Sequence, residues 1–228
     1  MFLQNENVSM FHFHVADDHP LFRNAILGVI KRHYPDAMVS ESMDLDSTIK
    51  ALEQNKEIDL LLLDLHMPGS PDLFGLIMVR KKFPSIPVAI ISADEEYDTI
   101  NRAMGHGACG YIPKSCSPQL IHEAILTMLD GGHWVPDSVR NTLTPVDIEE
   151  KNLAAKIATL TPQQYRVLCY LREGCLNKQI GYELGITEAT IKAHITAIFR
   201  KLGTSNRTQA VIMLSKMSLS SNQNVIEQ

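Results

Sequence analysis

Short apolar runs alternate with longer segments of helical patterning along the first 130 residues. Runs of about four to eight apolar residues bounded by turn residues indicate strands, whereas apolar residues at every third or fourth position indicate helices. The predicted strands cover 11–16, 38–42, 60–64, 88–92 and 109–112, and the predicted helices cover 20–34, 47–54, 73–83, 97–106 and 118–130. Five strands that alternate with five helices predict an α/β fold with a doubly wound, five-stranded parallel sheet.

The third predicted strand is strongly apolar and ends on an acid. Leu60 to Leu63 form an uninterrupted apolar run, Asp64 follows, and Pro68 and Gly69 then turn the chain. Such a run is typical of a parallel strand that is buried on both faces. Because ligands bind at the carboxyl edge of open parallel sheets, the sequence places Asp64 at a candidate site.

The helical pattern stops at Gly131 and Gly132, and a segment with two prolines follows. Glycine commonly ends helices and proline marks loops, so a domain boundary is expected here. Residues 146–158 have a helical pattern with mixed charge, which suits a linker helix that packs on either neighbouring domain. We predict a flexible N-terminus over 1–10, a first domain over 11–131, a linker over 132–158, a second domain over 159–217 and a flexible tail over 218–228.

The second domain has helical patterning throughout. A capping box at Thr161–Gln164 predicts a helix that runs to Gly174. Two further helices are predicted over 177–184 and 187–202. Helices that are joined by such a short, glycine-containing turn are typical of a helix-turn-helix.

Charge divides the chain at the same boundary. The whole chain has a formal net charge of −5, but residues 161–217 carry eight Lys and Arg against three Asp and Glu. Residues 1–160 carry 13 basic against 22 acidic residues. A basic helical domain suits nucleic acid and an acidic domain suits a metal or a phosphate donor, so the two domains are expected to have different partners.

The sequence disfavours disulfide-rich and membrane proteins. The four cysteines are Cys109, Cys116, Cys169 and Cys175. They include no C-x-x-C pair and no spacing typical of a zinc site, so we expect reduced thiols. The N-terminus has no basic segment followed by an apolar one, and no apolar run approaches the roughly 20 residues that cross a bilayer. We therefore expect a cytoplasmic protein with no membrane partner.

Five polar side chains are expected to meet at the carboxyl edge of the sheet. They lie at or just after strand ends: Asp17, Asp18, Asp64, Ser92 and Lys114. Three carboxylates in one small site repel each other unless a hard cation neutralises them, and Mg²⁺ prefers oxygen ligands. Asp64 is then a candidate nucleophile toward phosphorus, with Lys114 balancing charge and Ser92 donating to phosphoryl oxygens. Any one of these residues alone is equally a polar cap on a strand, and their convergence is what indicates a site.

Residues 11–131 resemble the receiver domain of two-component response regulators, which has a flavodoxin-like fold. The resemblance is carried by the acidic pair Asp17-Asp18, by Asp64-Leu65-His66-Met67-Pro68-Gly69, by Ile90-Ile91-Ser92-Ala93 and by Tyr111-Ile112-Pro113-Lys114. It implies that a sensor histidine kinase phosphorylates Asp64 and that Ser92 and Tyr111 form the switch pair that reports the event. On its own, Tyr111 is equally an ordinary half-buried aromatic residue.

One segment departs from the receiver pattern. The loop Ser70–Phe74 separates Gly69 from Gly75, which is a longer separation than is usual in the family. A longer loop beside Asp64 is expected to alter kinase docking or the attack of water, and therefore the kinetics of phosphorylation.

The last helix of the predicted helix-turn-helix carries candidates for DNA contact. Its apolar stripe contains Ile191, Ile195, Ile198, Phe199 and Leu202, and its other faces carry Lys192, Ala193, Thr196 and Arg200. A mixed polar face is also typical of any solvated helix. The positive charge of the domain favours the alternative that these residues enter the major groove and contact phosphates.

Residues 160–214 resemble the LuxR-type DNA-binding domain of NarL/FixJ-like regulators. The resemblance is carried by Leu160-Thr161-Pro162, Gly174, Asn177-Lys178-Gln179-Ile180, Leu184, Ile186-Thr187-Glu188, Thr190-Ile191-Lys192-Ala193-His194, Lys201-Leu202-Gly203 and Arg207. It implies that Lys192 and Ala193 read base edges. Asn177 and Lys178 are implied to hold phosphates, and residues 206–217 to form a fourth, dimerisation helix. The remaining DNA-binding candidates are Thr190, Thr196 and Arg200. Thr196 replaces a lysine that is common in the family, so the operator cannot be transferred from relatives.

Together the two resemblances imply a transcription factor rather than an enzyme. An acyl phosphate on Asp64 would switch homodimerisation and sequence-specific binding to double-stranded DNA, and thereby the access of RNA polymerase. An intact pocket also suits a regulator that is controlled by protein contact or by a small ligand. A phosphohydrolase with an aspartyl-phosphate intermediate uses the same magnesium chemistry, but such enzymes typically need a second acid two residues after the nucleophile, where this chain has His66.

Overall fold

The computed structural model describes residues 10–55 and 57–215. The predicted flexible tail over 218–228 and all but one residue of the predicted flexible N-terminus over 1–10 lie outside the described residues. The end of the helix predicted over 206–217 also lies outside them. No helix within the described ranges is long and apolar enough to cross a membrane.

The first domain is a parallel sheet covered by helices on both faces. Its strands are β1 (His12–Ala16), β2 (Met38–Ser42), β3 (Leu60–Asp64), β4 (Val88–Ser92) and β5 (Gly110–Pro113). Its helices are α1 (Pro20–His33), α2 (Leu45–Gln54), α3 (Phe74–Lys82), α4 (Tyr97–Gly105) and α5 (Pro118–Leu129). The strand order is β2-β1-β3-β4-β5 and every neighbouring pair is parallel, so all carboxyl ends lie at one edge. The predicted fold class is confirmed.

Strand β3 lies at the centre of the sheet and is buried along its whole length. Successive side chains of a strand point to opposite faces, and helices cover both faces here, so each position requires an apolar side chain. Leu61 and Leu63 accordingly join one apolar cluster, whereas Leu60 and Leu62 join the cluster on the other face. The run delivers Asp64 to the carboxyl edge with only 2% of its surface exposed.

Strand β1 contains a fully buried histidine. The ring nitrogens of His14 lie 2.7 Å from Ser40 Oγ and 2.9 Å from Ser42 Oγ. Ser42 Oγ in turn lies 2.6 Å from Thr48 Oγ1 of α2. Burial lowers the pKa of His14 to about 4, against a smaller opposing effect of Glu41. His14 is therefore a neutral member of a buried hydrogen-bonded chain that ties β1 to β2.

Helix α2 begins at residue 45 instead of the predicted 47 because Asp44 caps it. Asp44 Oδ1 accepts a hydrogen bond from the Ser47 backbone N–H at 2.7 Å, which satisfies one of the free donors at the start of the helix. The earlier start has a consequence for the site. The Leu45 backbone N–H donates to the Pro68 carbonyl at 3.1 Å and joins α2 to the loop after Asp64.

The linker contains two helices, α6 (Asp137–Arg140) and α7 (Ile148–Ile157). The structure places α7 within the helix predicted over 146–158. Helix α6 has only four residues, and so short a segment contains no apolar periodicity from which it could be predicted.

Two side chains of α4, together with His106 at its C-terminal end, hold the linker. Asn101 Oδ1 accepts a hydrogen bond from the Thr144 N–H at 2.7 Å. Arg102 Nε donates to Glu150 Oε1 at 2.8 Å, and His106 Nε2 lies 2.8 Å from the same oxygen. Burial raises the pKa of Glu150, but Arg102 and His106 together lower it further, so the net shift is downward and the carboxylate stays ionised. The linker is thus fastened to the helix that follows β4.

The second domain consists of α8 (Pro162–Arg172), α9 (Asn177–Glu183), α10 (Glu188–Leu202) and α11 (Arg207–Ser215). The predicted capping box is present: Thr161 Oγ1 accepts from the Gln164 N–H at 3.2 Å, and Gln164 Oε1 accepts from the Thr161 N–H at 3.1 Å. Arg207 donates to two carbonyl oxygens near the end of α8, those of Leu171 and Cys175, at 2.9 Å each. These bonds hold α11 against α8.

The two domains share one apolar cluster. Phe74 of α3 and Tyr165 of α8 are stacked, with ring centroids 3.7 Å apart and 5° between the ring planes. Arg172 of α8 lies 3.4 Å from Asp72 in the loop before α3. Helix α8 therefore packs against the loop that follows Asp64, an arrangement that the sequence did not predict.

Candidate phosphoacceptor site and DNA-binding surface

Four ionisable side chains lie together at the carboxyl edge of the sheet. One potential ligand atom from each of Asp17, Asp18, His19 and Asp64 lies within 4.8 Å of the others. Asp17 and Asp18 follow β1 while Asp64 ends β3, and these strands are hydrogen-bonded neighbours. The sheet topology therefore brings together the three carboxylates that the sequence singles out.

Lys114 lies between two of these carboxylates. Its Nζ is 2.8 Å from Asp64 Oδ2 and 2.9 Å from Asp17 Oδ2. Burial lowers the pKa of Lys114, but the hydrogen bonds and charges of the two carboxylates outweigh it and the net shift is upward. The Nζ also lies 4.9 Å from the centroid of the Phe22 ring, whose π face attracts cations. Lys114 therefore remains protonated, in position to balance negative charge that develops at Asp64.

The donor atoms of the pocket suit a hard cation. Asp17 is only 2% exposed. Within the described residues, its Oδ2 and the Oδ1 of Asp18 accept no well-aligned hydrogen bond, although Lys114 and His19 lie nearby. The three carboxylates carry more negative charge than the single Lys114 ammonium neutralises, so the pocket requires a further counter-charge. Asp17, Asp18 and Asp64 therefore fit Mg²⁺, which prefers carboxylate oxygens.

Ser92 and Tyr111 both bind the loop between β4 and α4. Ser92 is fully buried, and its Oγ accepts a hydrogen bond from the Asp94 N–H at 3.1 Å. The Tyr111 hydroxyl donates to the Asp94 carbonyl at 2.6 Å, and burial raises its pKa. Thr99 of α4 donates to Asp94 Oδ2 at 2.8 Å. Asp94 therefore joins Ser92 and Tyr111 to the start of α4.

The lengthened loop Ser70–Phe74 is tightly folded. The Ser70 N–H donates to the Met67 carbonyl at 2.9 Å. Gly75 approaches Ser70 so closely that a Cβ atom at position 75 would lie 2.0 Å from Ser70 Oγ. Asp72 has a φ of 56°, in the left-handed region that residues other than glycine rarely adopt. The loop is thus a structured connection between Asp64 and α3.

The candidate DNA-binding residues lie on two neighbouring helices. On α9, Lys178 is exposed and Asn177 is partly exposed. The candidates on α10 are all exposed: Thr190, Lys192, Ala193, Thr196 and Arg200. In this structure α10 therefore presents its outer face to solvent, and the first domain does not cover it.

Local contacts occupy three of the α10 side chains. Lys192 Nζ lies 2.9 Å from Glu188 Oε1, one turn earlier. Thr196 Oγ1 donates to the Lys192 carbonyl at 3.0 Å, and Thr190 Oγ1 lies 2.8 Å from Thr187 Oγ1 at the helix cap. To reach a base, Lys192 has to exchange its carboxylate partner for the edge of that base.

Two known families match the sequence. Residues 13–126 match the family described as "Response regulator receiver domain". Residues 158–214 match the family described as "Bacterial regulatory proteins, luxR family". The chain belongs to the response regulators with a LuxR-type DNA-binding domain.

Relatives of this response regulator match most of the chain over almost their own whole length. The glycerol metabolism activator of Pseudomonas putida is 40% identical over 208 residues, which are 89% of this chain and 94% of the relative. The nitrate/nitrite response regulator protein NarP of Escherichia coli K12 is 30% identical, again over 89% of this chain and 94% of the relative. The chain is thus a transcription regulator with a receiver domain.

Solved structures have the same fold. RcsB from Salmonella enterica serovar Typhimurium, in complex with a promoter, is 22% identical with a TM-score of 0.55, over 91% of this chain and 99% of the RcsB chain. A LuxR family DNA-binding response regulator from Silicibacter pomeroyi is 27% identical with a TM-score of 0.50, over 57% of this chain and 98% of that chain.

Two residues of the response-regulator pocket are absent from the sequence-based predictions. His19 Nδ1 lies 2.8 Å from Asp18 Oδ1 and 3.8 Å from Asp64 Oδ2. It directly follows the acidic pair in the sequence, so adjacency was an available signal. Asp94 binds Ser92 and Tyr111 through backbone groups, for which a sequence contains no signal.

Proposed function

We propose that phosphorylation of Asp64 by a partner sensor histidine kinase switches the DNA binding of this response regulator. The observation that carries the proposal is the environment of Asp64. One carboxylate oxygen faces Lys114 Nζ at 2.8 Å, while the other accepts a long hydrogen bond of 3.3 Å from the His66 N–H. A nucleophilic oxygen is thus available beside a fixed positive charge.

The proposed transfer uses residues that the pocket already holds. A carboxylate oxygen of Asp64 attacks the phosphorus of the kinase's phosphohistidine. The new O–P bond forms as the P–N bond breaks, and the imidazole leaves with the electron pair. Lys114 balances the negative charge, and Ser92 donates a hydrogen bond to a phosphoryl oxygen. Mg²⁺ held by Asp17, Asp18 and Asp64 would supply further charge neutralisation.

The proposed signal leaves the pocket through the β4–α4 loop. A phosphoryl group adds about −1.5 to −2 charges and strong acceptor oxygens. When Ser92 turns to these oxygens, its bond to the Asp94 N–H is lost, and the contact of Tyr111 with the same loop changes with it. The displaced loop moves α4, to which the linker is attached through Glu150.

The proposed output is transcriptional. Phosphorylated chains form homodimers in the cytoplasm, place α10 in the major groove of double-stranded DNA and alter the recruitment of RNA polymerase. Support comes from the exposed Lys192 and Arg200 on α10 and Lys178 on α9, and from the resemblance of α11 to a dimerisation helix.

Replacement of Asp64 by Asn tests the proposal directly. Asp64→Asn should abolish phosphoryl incorporation from a small acyl-phosphate donor with Mg²⁺, measured as an added phosphoryl mass on the intact chain. Asp137→Asn is the matched control, because Asp137 is an exposed acid of the linker, and it should incorporate as the wild type does.

Retained incorporation in Asp64→Asn would exclude Asp64 as the acceptor. A wild-type chain that binds DNA under control of another protein or a small ligand, yet takes up no phosphoryl group, would support the alternative of control without phosphate. Sustained release of phosphate from small esters would support the phosphohydrolase.

A further inference from the structure

We propose that His19 is a nitrogen ligand of the metal pocket, and that it lets the pocket bind borderline divalent cations such as Fe²⁺ and Co²⁺ more tightly than three carboxylates alone would. The metal pocket consists of Asp17, Asp18, His19 and Asp64. His19 can act in this way only if the metal site of the proposed function is correct.

The side chain of His19 is not used to cap a helix. His19 holds the N-cap position of α1. Ser, Thr, Asp and Asn are preferred at such positions because their short side chains accept hydrogen bonds from the first turn. The His19 ring makes no bond of this kind. The ring instead lies beside the carboxylates of Asp17 and Asp18.

The backbone fixes the point from which the His19 ring leaves the chain. A residue before proline is restricted to extended conformations, and His19 precedes Pro20 with a φ of −93° and a ψ of 104°. The His19 N–H donates to Asp17 Oδ1 at 2.7 Å. Its carbonyl accepts from the Arg23 N–H at 3.0 Å. The ring is therefore preorganised beside the pocket, as a metal ligand requires.

The Nδ1 atom of His19 lies near one oxygen of each carboxylate. It is 2.8 Å from Asp18 Oδ1, 3.4 Å from Asp17 Oδ1 and 3.8 Å from Asp64 Oδ2. Nitrogen and oxygen ligands lie about 2.0 to 2.2 Å from a divalent transition metal, so two neighbouring ligands of one ion are about 3 to 3.5 Å apart. One ion can therefore join Nδ1 to the carboxylates after small movements of the side chains.

The short distance between His19 and Asp18 is not a well-formed hydrogen bond. Asp18 Oδ1 is shielded from solvent and, among the residues that the structure describes, has no aligned donor, although Nδ1 is 2.8 Å away. In the tautomer with its proton on Nε2, Nδ1 carries a lone pair in the plane of the ring. This nitrogen and this oxygen lie close together without pointing at each other, which is the arrangement of two ligands that face a common ion.

Lys114 leaves this part of the pocket to a cation. Its Nζ contacts Asp17 Oδ2, whereas His19 Nδ1 is nearer to Asp17 Oδ1. One ammonium beside three carboxylates leaves an excess of negative charge. A cation beside His19 can neutralise this excess while Lys114 keeps its own contact with Asp17.

A nitrogen ligand changes which cations a pocket prefers. Mg²⁺ is hard, prefers oxygen ligands and keeps its water, whereas imidazole suits iron, nickel and zinc. Co²⁺ lies between Fe²⁺ and Ni²⁺ in the usual order of affinities. The side chain of His19 is 65% exposed, so a cation can reach Nδ1 from solvent. Loss of the ring should therefore weaken the binding of Co²⁺ far more than that of Mg²⁺.

Mn²⁺ is the magnetic probe of this site in the full chain. Electron spin echo envelope modulation of bound Mn²⁺ detects a directly coordinated nitrogen. Substoichiometric Mn²⁺ should show a nitrogen coupling in the wild type and none in His19→Gln, which keeps a polar side chain. His66→Gln is the matched control and should keep the coupling, because the exposed His66 follows Asp64 by two residues but is not in the cluster of ligand atoms.

Calorimetric titration measures the selectivity. In His19→Gln the affinity for Co²⁺ should fall about tenfold or more, while the affinity for Mg²⁺ should change by less than about twofold. Comparison of the variant with the wild type cancels the intrinsic preference of most sites for Co²⁺. Asp18→Asn removes a carboxylate and should weaken the binding of both cations, which locates the binding in the pocket.

Three outcomes would overturn the role of His19 while the metal site of the proposed function stands. They are Asp18-dependent binding of Mn²⁺ without a nitrogen coupling in the wild type, a coupling that persists in His19→Gln, and equal weakening of Co²⁺ and Mg²⁺ in that variant. If neither Mn²⁺ nor Mg²⁺ binds in a way that depends on Asp18, the metal site of the proposed function fails, and the role of His19 fails with it.

Discussion

The protonation states of Lys114 and His14 depend on neighbours that are distant in sequence. Asp64 could be placed at a strand end from the sequence, because an apolar run that ends on an acid is a local pattern. The ion pairs of Lys114 with Asp64 and Asp17 follow from the sheet order. The environment of His14 could not be predicted from the sequence, because its partners Ser40 and Ser42 come from another strand.

His14 should make stability depend on pH. Its pKa is about 4 in the folded state against 6.5 for the free side chain. Between these values the unfolded chain binds a proton that the folded chain excludes, so stability rises with pH from about 4 to 6.5 and is lost on acidification through the same window. The full effect of His14 is about 3 kcal/mol. Urea unfolding at a series of pH values measures it.

A variant separates the contribution of His14 to the pH dependence of stability from that of carboxylates, which titrate at similar pH values. His14→Asn should flatten the dependence of the free energy of unfolding on pH between about 4 and 6.5. His133→Asn, which changes an exposed histidine of the linker, should keep the wild-type slope. Equal slopes in the wild type and His14→Asn would show that His14 does not titrate as the structure requires.

At the scale of elements, periodicity predicted every strand and nearly every helix of the described residues. The exceptions have physical causes. Helix α6 is too short to have a period, and the early start of α2 depends on a side-chain cap at Asp44. The folded conformation of loop Ser70–Phe74 depends on close contacts with Gly75 and α2, which a count of extra residues does not reveal.

Gly105 of α4 packs so closely against Val146 of the linker that the addition of one methyl group at position 105 tests this contact. A Cβ at Gly105 would lie 2.0 Å from Val146 Cγ2, so Gly105→Ala should reduce the free energy of unfolding by about 1 to 3 kcal/mol. In the double variant with Val146→Gly, the cost should be well below the sum of the single costs. Denaturant unfolding measures all three variants.

Gly28 provides the matched control for that experiment. It lies in α1, and a Cβ at this position would meet no described atom within 4 Å beyond its own stretch of helix. Gly28→Ala should therefore stabilise the chain by about 0.5 to 1 kcal/mol through helix propensity. Stabilisation by Gly105→Ala of similar size would mean that the linker does not pack on α4.

The two DNA-binding helices should differ in what they read. Lys178→Ala should weaken binding similarly on all duplexes and make the slope of log affinity against log salt shallower by about 0.9, if Lys178 neutralises one phosphate. Lys192→Ala should instead relax base preference. Affinities on a selected operator and on random duplexes, over a range of salt, measure both.

Lys151→Ala is the control for loss of a positive charge, because Lys151 is exposed on α7 of the linker. It should leave both the salt slope and the base preference near those of the wild type. An unchanged base preference in Lys192→Ala would exclude base reading by that residue.

At the scale of the whole molecule, the separation of charge into an acidic and a basic domain could be predicted from the sequence, and so could the pairing of a receiver domain with a LuxR-type DNA-binding domain. The packing of one domain on the other could not be predicted. It depends on Phe74 and Tyr165, which are far apart in sequence, and each residue alone has the pattern of an ordinary core residue.

The stack between Phe74 and Tyr165 limits how freely the halves of this protein can be exchanged. A chimera that joins a foreign receiver to residues 159–217 would take Phe74 away from the ring of Tyr165 and the carboxylate of Asp72 away from Arg172. Such a fusion would expose an apolar surface around Tyr165 on α8, in addition to acquiring a receiver domain that responds to a different signal. A functional chimera therefore has to keep the loop 70–74 together with residues 159–217. The segment that must be transferred as one piece is larger than the DNA-binding domain.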